Sequence, residues 1–191
     1  TGAGALVLTQ GNVDLAADVD LTGGTSVTAT AGVGSITLSG GGALTNTIQG
    51  TTTTVAIADV TDGATGVANL TVEAGTDATV GAITLDNTGA GVVNLTADFD
   101  SGSADATLTT NGVIDADGNV TLSGGADGDD NILVNANVTS RGALVVQNSD
   151  NVTLAGDVDL TGTSVTATAA ITGTQITLAG TGETQITATA T

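Results

Sequence analysis

Apolar residues along this chain come as short doublets spaced by two. Val13/Leu15, Val19/Leu21, Val27/Ala29 and Ile36/Leu38 are followed by Val55/Ile57, Leu70/Val72, Ile83/Leu85 and Val93/Leu95. The pattern resumes with Val120/Leu122, Ile132/Val134, Leu144/Val146, Val152/Leu154, Val158/Leu160, Val165/Ala167, Ile176/Leu178 and Ile186/Ala188. Thr, Asp, Asn and Ser fill the places between and beside them. A period of two buries one face and wets the other, which predicts strands. Thr and Val favour the extended pleat, Gly is a poor helix former, and no segment sustains a 3.6 period. The expected fold class is all-β.

The spacing between doublets says how the strands are joined. From Val13 the steps lead to Val19, Val27 and Ile36, and from Leu144 to Val152, Val158 and Val165, so three steps span 23 and 21 residues. Strands this short, linked by two to five residues, suit a chain winding around a three-sided coil, each coil lying on the last at the ~4.8 Å strand spacing. Gly, Asn, Asp and Thr-Gly supply the corners. A parallel β-solenoid of 21–23 residues per coil is therefore predicted. The alternative is an antiparallel β-sandwich, whose turns usually fall further apart and whose core usually holds Trp or Tyr.

The chain also repeats itself over a longer distance. TSVTATA at 25–31 recurs unchanged at 163–169, and NVDLAADVDLTG (12–23) matches NVTLAGDVDLTG (151–162) at ten of twelve positions. GALVL (4–8) matches GALVV (142–146), and SITL (35–38) aligns with QITL (175–178). The sequence reads as one continuous solenoid section over 1–191, with a repeat unit at about 4–141 and a partial second copy over 142–191. Neither terminal segment reads as a cap, so the array is expected to continue or copies to stack end to end.

Runs such as GNVDLAADVDLTGGTSVTATAGVGSITLSG (11–40) resemble the repeats of filamentous-haemagglutinin-type adhesins and related large bacterial exoproteins. The resemblance covers essentially the whole chain and is compositional and periodic. It implies a right-handed parallel β-helix, export to the cell surface, and an adhesive or scaffolding role. The secretion domain that precedes such repeats is not visible in this sequence.

Composition narrows the chemistry. The chain has 191 residues with no His, Cys, Met, Pro, Trp or Tyr, one Phe (Phe99) and one basic residue (Arg141) against 20 acidic ones, a formal charge of −19. Thr numbers 39 and Gly 29. A single cation cannot replace the counterions of nucleic acid. Thiol chemistry, nitrogen- or sulfur-ligated metals and His-dependent nucleophilic triads are out of reach. No run approaches the ~20 apolar residues of a membrane span, so membrane insertion is not expected. At 40% hydrophobic, the chain is too apolar for the usual disordered class. Small and branched residues dictate a thin, regular core.

The acids alternate with apolar positions at Asp14, Asp18, Asp20, Asp157 and Asp159. This places them on the outer face, where they keep a rod soluble and favour salty, extracellular surroundings. Two stretches suggest Ca²⁺, which takes oxygen ligands. Asp115-Ala116-Asp117-Gly118-Asn119 alternates such ligands before a Gly, in the manner of a calcium loop, but lacks the distal Glu of an EF-hand. The segment 124–132, with Asp127, Asp129 and Asp130, is similar to the calcium-binding nonapeptide of RTX proteins, with Asp127 where that motif has Gly. The candidate metal set is thus Asp115, Asp117, Asn119, Asp127, Asp129 and Asp130, set against a plain Asp/Gly turn. No cofactor is required by this reading.

Carboxylate pairs could in principle cleave a glycan. No Trp or Tyr is available to stack on a sugar, and the acids recur in every turn rather than at one cleft, so no enzyme activity is expected. Arg141 is assigned instead to neutralising acids at the junction between copies. Thr-x-Thr pairs at Thr28/Thr30, Thr45/Thr47, Thr107/Thr109, Thr166/Thr168 and Thr187/Thr189/Thr191 raise an ice-binding reading, against ordinary outward Thr ladders. The expected function is an extracellular structural repeat protein, either a stiff acidic surface rod or a self-assembling filament. An adhesin segment binding glycans or other cells is the alternative, and ice binding ranks third.

Overall fold

The structure, a computed structural model, describes residues 6–9, 13–15, 20–23, 27–30, 36–38, 43–51, 54–62, 67–86, 91–99, 105–125, 130–168, 170–180 and 184–187. Among these residues there is no helix, and every strand pairing is parallel. The fold is a parallel β-solenoid and the antiparallel sandwich does not form. Each strand pairs not with its neighbour in sequence but with the strand one coil away, because the short corners turn the chain onto a new face instead of back on itself.

Three faces enclose the core. The first carries Leu6–Thr9, Val27–Thr30, Val55–Ile57, Ala78–Val80, Thr107–Thr110 and Asn131–Val134. The second carries Val13–Leu15, Ile36–Leu38, Val60–Asp62, Ile83–Leu85, Ile114–Ala116 and Val138–Ser140. The long strand Asn151–Gly162 bends across the corner between them, pairing with both faces and with Ala170–Gly180, so the two faces count as one 14-stranded sheet. The third face is an eight-stranded sheet: Asp20–Gly23, Ala43–Gly50, Val67–Ala74, Val93–Thr96, Val120–Ser123, Ala143–Gln147, Ser164–Thr168 and Thr184–Thr187.

Register builds the core by stacking like on like. On the third face Ile48, Val72, Leu95, Leu122, Val146 and Ala167 succeed one another, all fully buried. On the second, Ile36, Val60, Ile83, Ile114, Val138 and Leu160 do the same. Strands alternate buried and half-buried positions, as in Ile83–Leu85 and Val93–Thr96, which is the period-two pattern of the sequence made physical. Branched aliphatic side chains repeat from coil to coil because each must fill the same thin slice of interior.

Coil length varies more than the 21–23 residues expected. Stacked positions lie 23, 24 and 22 residues apart at several corners but 30 apart between Asp77 and Thr107. Near the C-terminal end Val158 pairs with Ile176, a coil of only 18 residues. The strands keep their register across coils of these different lengths.

The two copies of the repeat do not occupy the same faces. Val27–Thr30 lies on the first face, whereas the same residue run in the second copy forms Ser164–Thr168 on the third. Val13–Leu15 is on the second face, and its counterpart at 152–154 on the first. Ile36 and Ile176 return to a common face because the second copy places an additional strand segment, 170–173, on the first face. A strand of alternating apolar and polar residues fits any of the three faces. Its place is decided by the residues at the preceding corners.

Candidate functional site

One corner carries the lone basic side chain, Arg141. Arg141 follows the second-face strand Val138–Ser140, and the registered strand below it, Ile114–Ala116, places Asp115 and Asp117 within reach. The guanidinium Nη1 contacts Asp115 Oδ1 at 2.7 Å and Asp117 Oδ1 at 3.0 Å, and Nη2 reaches Asp115 Oδ2 at 3.4 Å. The Asp115 hydrogen bond is the largest influence and raises the Arg141 pKa; desolvation, next in size, opposes it, and the charges of Asp115, Asp117 and Asp86 add smaller upward shifts. The main-chain N–H of Arg141 also donates to the Ala116 carbonyl at 2.9 Å. Arg141 therefore neutralises acids of the preceding coil, as its position at the junction between the two copies suggested.

This pairing bears on the candidate calcium ligands. Asp115 and Asp117 face Arg141, while Asn119 Oδ1 accepts the Ala143 N–H at 2.9 Å. Asp130 stands at a different corner, beyond the strand Val120–Ser123, and is fully buried. Its carboxylate accepts the N–H groups of Ala106, at 2.9 Å, and of Gly125, while its carbonyl accepts the Asp150 N–H at 2.7 Å. Asp130 thus ties three successive coils through main-chain donors. Asp127 and Asp129 lie outside the described residues. The strand Val120–Ser123 separates the two halves of the candidate set, and among the described residues no group of three or more acidic side chains is placed to hold a metal ion.

A second arrangement recurs at the corners and was not read from the sequence. Asp59 Oδ1 accepts the N–H of Ala82 at 2.8 Å, and Asn69 Oδ1 that of Val92 at 2.9 Å. Asp77, Asn119 and Asn137 accept from Thr107, Ala143 and Asp159, each at 2.9 Å. In every case the donor is the residue stacked directly above in the next coil. These positions share one local sequence: Asp or Asn, then an inward apolar residue, then Thr, as in Asp59-Val60-Thr61 and Asn119-Val120-Thr121. The side chain supplies an acceptor where the chain is turning and the main-chain ladder has lapsed. Glycine accompanies two of these caps for lack of space. A Cβ at Gly81 would stand 2.5 Å from Asp59 Oδ1, and one at Gly142 would collide with Asn119 Oδ1.

The outer surface is otherwise ordered by register. Thr61, Thr84, Asp115, Thr139 and Thr161 form one row on the second face. The row consists of single Thr residues rather than Thr-x-Thr pairs, and Asp115 with its Arg141 partner interrupts it. Asp159 is exposed, in keeping with the outward placement expected of the alternating acids. Asp18 lies outside the described residues, as do the side chains of Asp14, Asp20 and Asp157. Of the Thr pairs, Thr189 and Thr191 fall outside as well. No helix among the described residues is long and apolar enough to cross a membrane. Comparison with protein-family models, curated proteins and solved structures yields no match to this chain.

Proposed function

We propose that the chain is a structural section of an extracellular surface rod or filament, acting as a stiff acidic spacer that lengthens by duplication of its repeat. The observation that carries this reading is the unbroken stacking of core ladders, with Ile48 through Ala167 buried on one face and Ile36 through Leu160 on another. Such a ladder resists bending because every coil is bonded to those above and below across three faces. Each added coil extends it without changing its cross-section. Exposed acids such as Asp86, Asp105, Asp150 and Asp159 lie on the outside, where salt screens their repulsion. No catalytic step is part of this reading.

The reading predicts how size scales with repeats. Chains carrying one, two and three tandem units should grow linearly in maximum dimension, by ~4.8 Å per coil, at constant cross-sectional radius in X-ray scattering. Electron micrographs should show unbranched rods of matching length. Compact particles whose cross-section grows with each added unit would count against the proposal.

A further inference from the structure

The corner caps have a property that their structural role leaves unused. The chain contains five Asn-x-Thr triplets, beginning at Asn69, Asn94, Asn119, Asn137 and Asn151. This triplet is the acceptor sequence for N-linked sugars when it lies at a protein surface. In an extended strand the first and third residues share a face, so the Asn amide and the Thr hydroxyl are presented side by side, with the apolar middle residue turned inward. Val120 and Val138 are both fully buried, while Asn119 and Asn137 are exposed.

The five are not equivalent. Asn69 and Asn94 are only half exposed, and the Asn151 Nδ2 donates to Asn131 Oδ1 at 3.4 Å. At Asn119 and Asn137 the bond to the next coil uses Oδ1 alone, and Nδ2 carries no hydrogen bond to a described residue. A sugar on Nδ2 leaves the Oδ1 acceptor in place, so modification and coil capping are compatible at one side chain. Carboxylates at Asp59 and Asp77 perform the same capping without an amide, which shows that the fold itself needs only the oxygen.

From this we propose that Asn119 and Asn137 are acceptors for an N-linked sugar, placing glycan at two corners of the rod. The step is a substitution at the anomeric carbon of a sugar phosphate donor, carried out by a separate transferase. The Asn Nδ2–C1 bond forms, the C1–O bond to the phosphate leaving group breaks, and the amide gives up one proton to the transferase's base. The proposal stands whether or not the rod reading holds.

The full chain, produced in a host with an N-glycosylation pathway and carrying a control Asn-x-Thr triplet in a flexible terminal tag, provides the test by peptide mass spectrometry. Sugar increments are expected on the Asn119 and Asn137 peptides. Each should vanish singly in Asn119→Asp and Asn137→Asp, whose circular dichroism and melting should stay close to the parent because the cap oxygen remains. A modified tag with unmodified Asn119 and Asn137 would overturn the proposal, as would sugar confined to Asn69 or Asn94.

Discussion

At the scale of single residues, the structure separates charges that contribute little from polar atoms that cost much. Arg141 is the only side-chain cation available to 20 acidic groups, yet its side chain is 48% exposed and Asp115 is 32% exposed. Exposed pairs of this kind contribute up to ~1 kcal/mol. Arg141→Met should therefore lower stability by less than ~1 kcal/mol in low salt, with the difference shrinking as ionic strength rises, as urea denaturation would record. Thr110 presents the opposite case. It occupies an inward position of the first face, between Val80 and Val134, and its hydroxyl is buried without a partner. An unsatisfied buried hydroxyl costs ~1–3 kcal/mol, so Thr110→Val should raise stability by about 1 kcal/mol in the same assay. Ser140, buried on the second face, escapes this penalty because its Oγ donates to the Gly118 carbonyl at 2.8 Å.

At the scale of elements, strands are interchangeable and corners are not. Val27–Thr30 forms a first-face strand in one copy, and the identical residues 165–168 lie in a third-face strand in the other. The corner positions, by contrast, carry specific chemistry. Asn148 and Asp98 turn the chain with φ values of 53° and 44°, a region in which Asn and Asp are the most tolerant residues with a side chain. Asn119 holds the Ala143 N–H, and Gly142 leaves the room to do so. Asn119→Ala should cost ~1–2 kcal/mol and raise hydrogen exchange at the Ala143 amide, whereas Asn119→Asp should leave that amide protected. The cap was partly legible in the sequence. Asp or Asn ahead of a doublet is a visible signal, but taken alone it points to a turn or to calcium ligation. What it bonds to is set by the residue 22–30 positions later, and a reading of local spacing cannot see that partner.

At the scale of the whole molecule, stability is a sum over neighbouring coils. Leu122 lies mid-stack between Leu95 and Val146 and is fully buried. Leu122→Ala should cost ~2–5 kcal/mol, because neither neighbour can move into the gap without breaking its own register. The damage should be local. Hydrogen exchange should accelerate in the mutated coil and those beside it, with distant coils unchanged, whereas uniform loss of protection would mean that the solenoid unfolds as one unit. The same nearest-neighbour logic explains the variable coil length: a coil may gain residues at a corner so long as its three strands still land on those below.

The amino-acid sequence by itself pointed to an all-β chain of short alternating strands, to a parallel solenoid ahead of an antiparallel sandwich, and to Arg141 pairing with nearby acids. All of these follow from period-two alternation, short connections and the scarcity of positive charge, which act over a few residues or over the composition as a whole. Only the tertiary structure decided which face each strand joins, which carboxylates meet Arg141, and that Asp115 and Asp117 stand at a different corner from Asp130. Those outcomes depend on which residues of successive coils come into register, and partners 18–31 positions apart are invisible to a local pattern. Local pattern says that a strand will form; the stack beneath it says where.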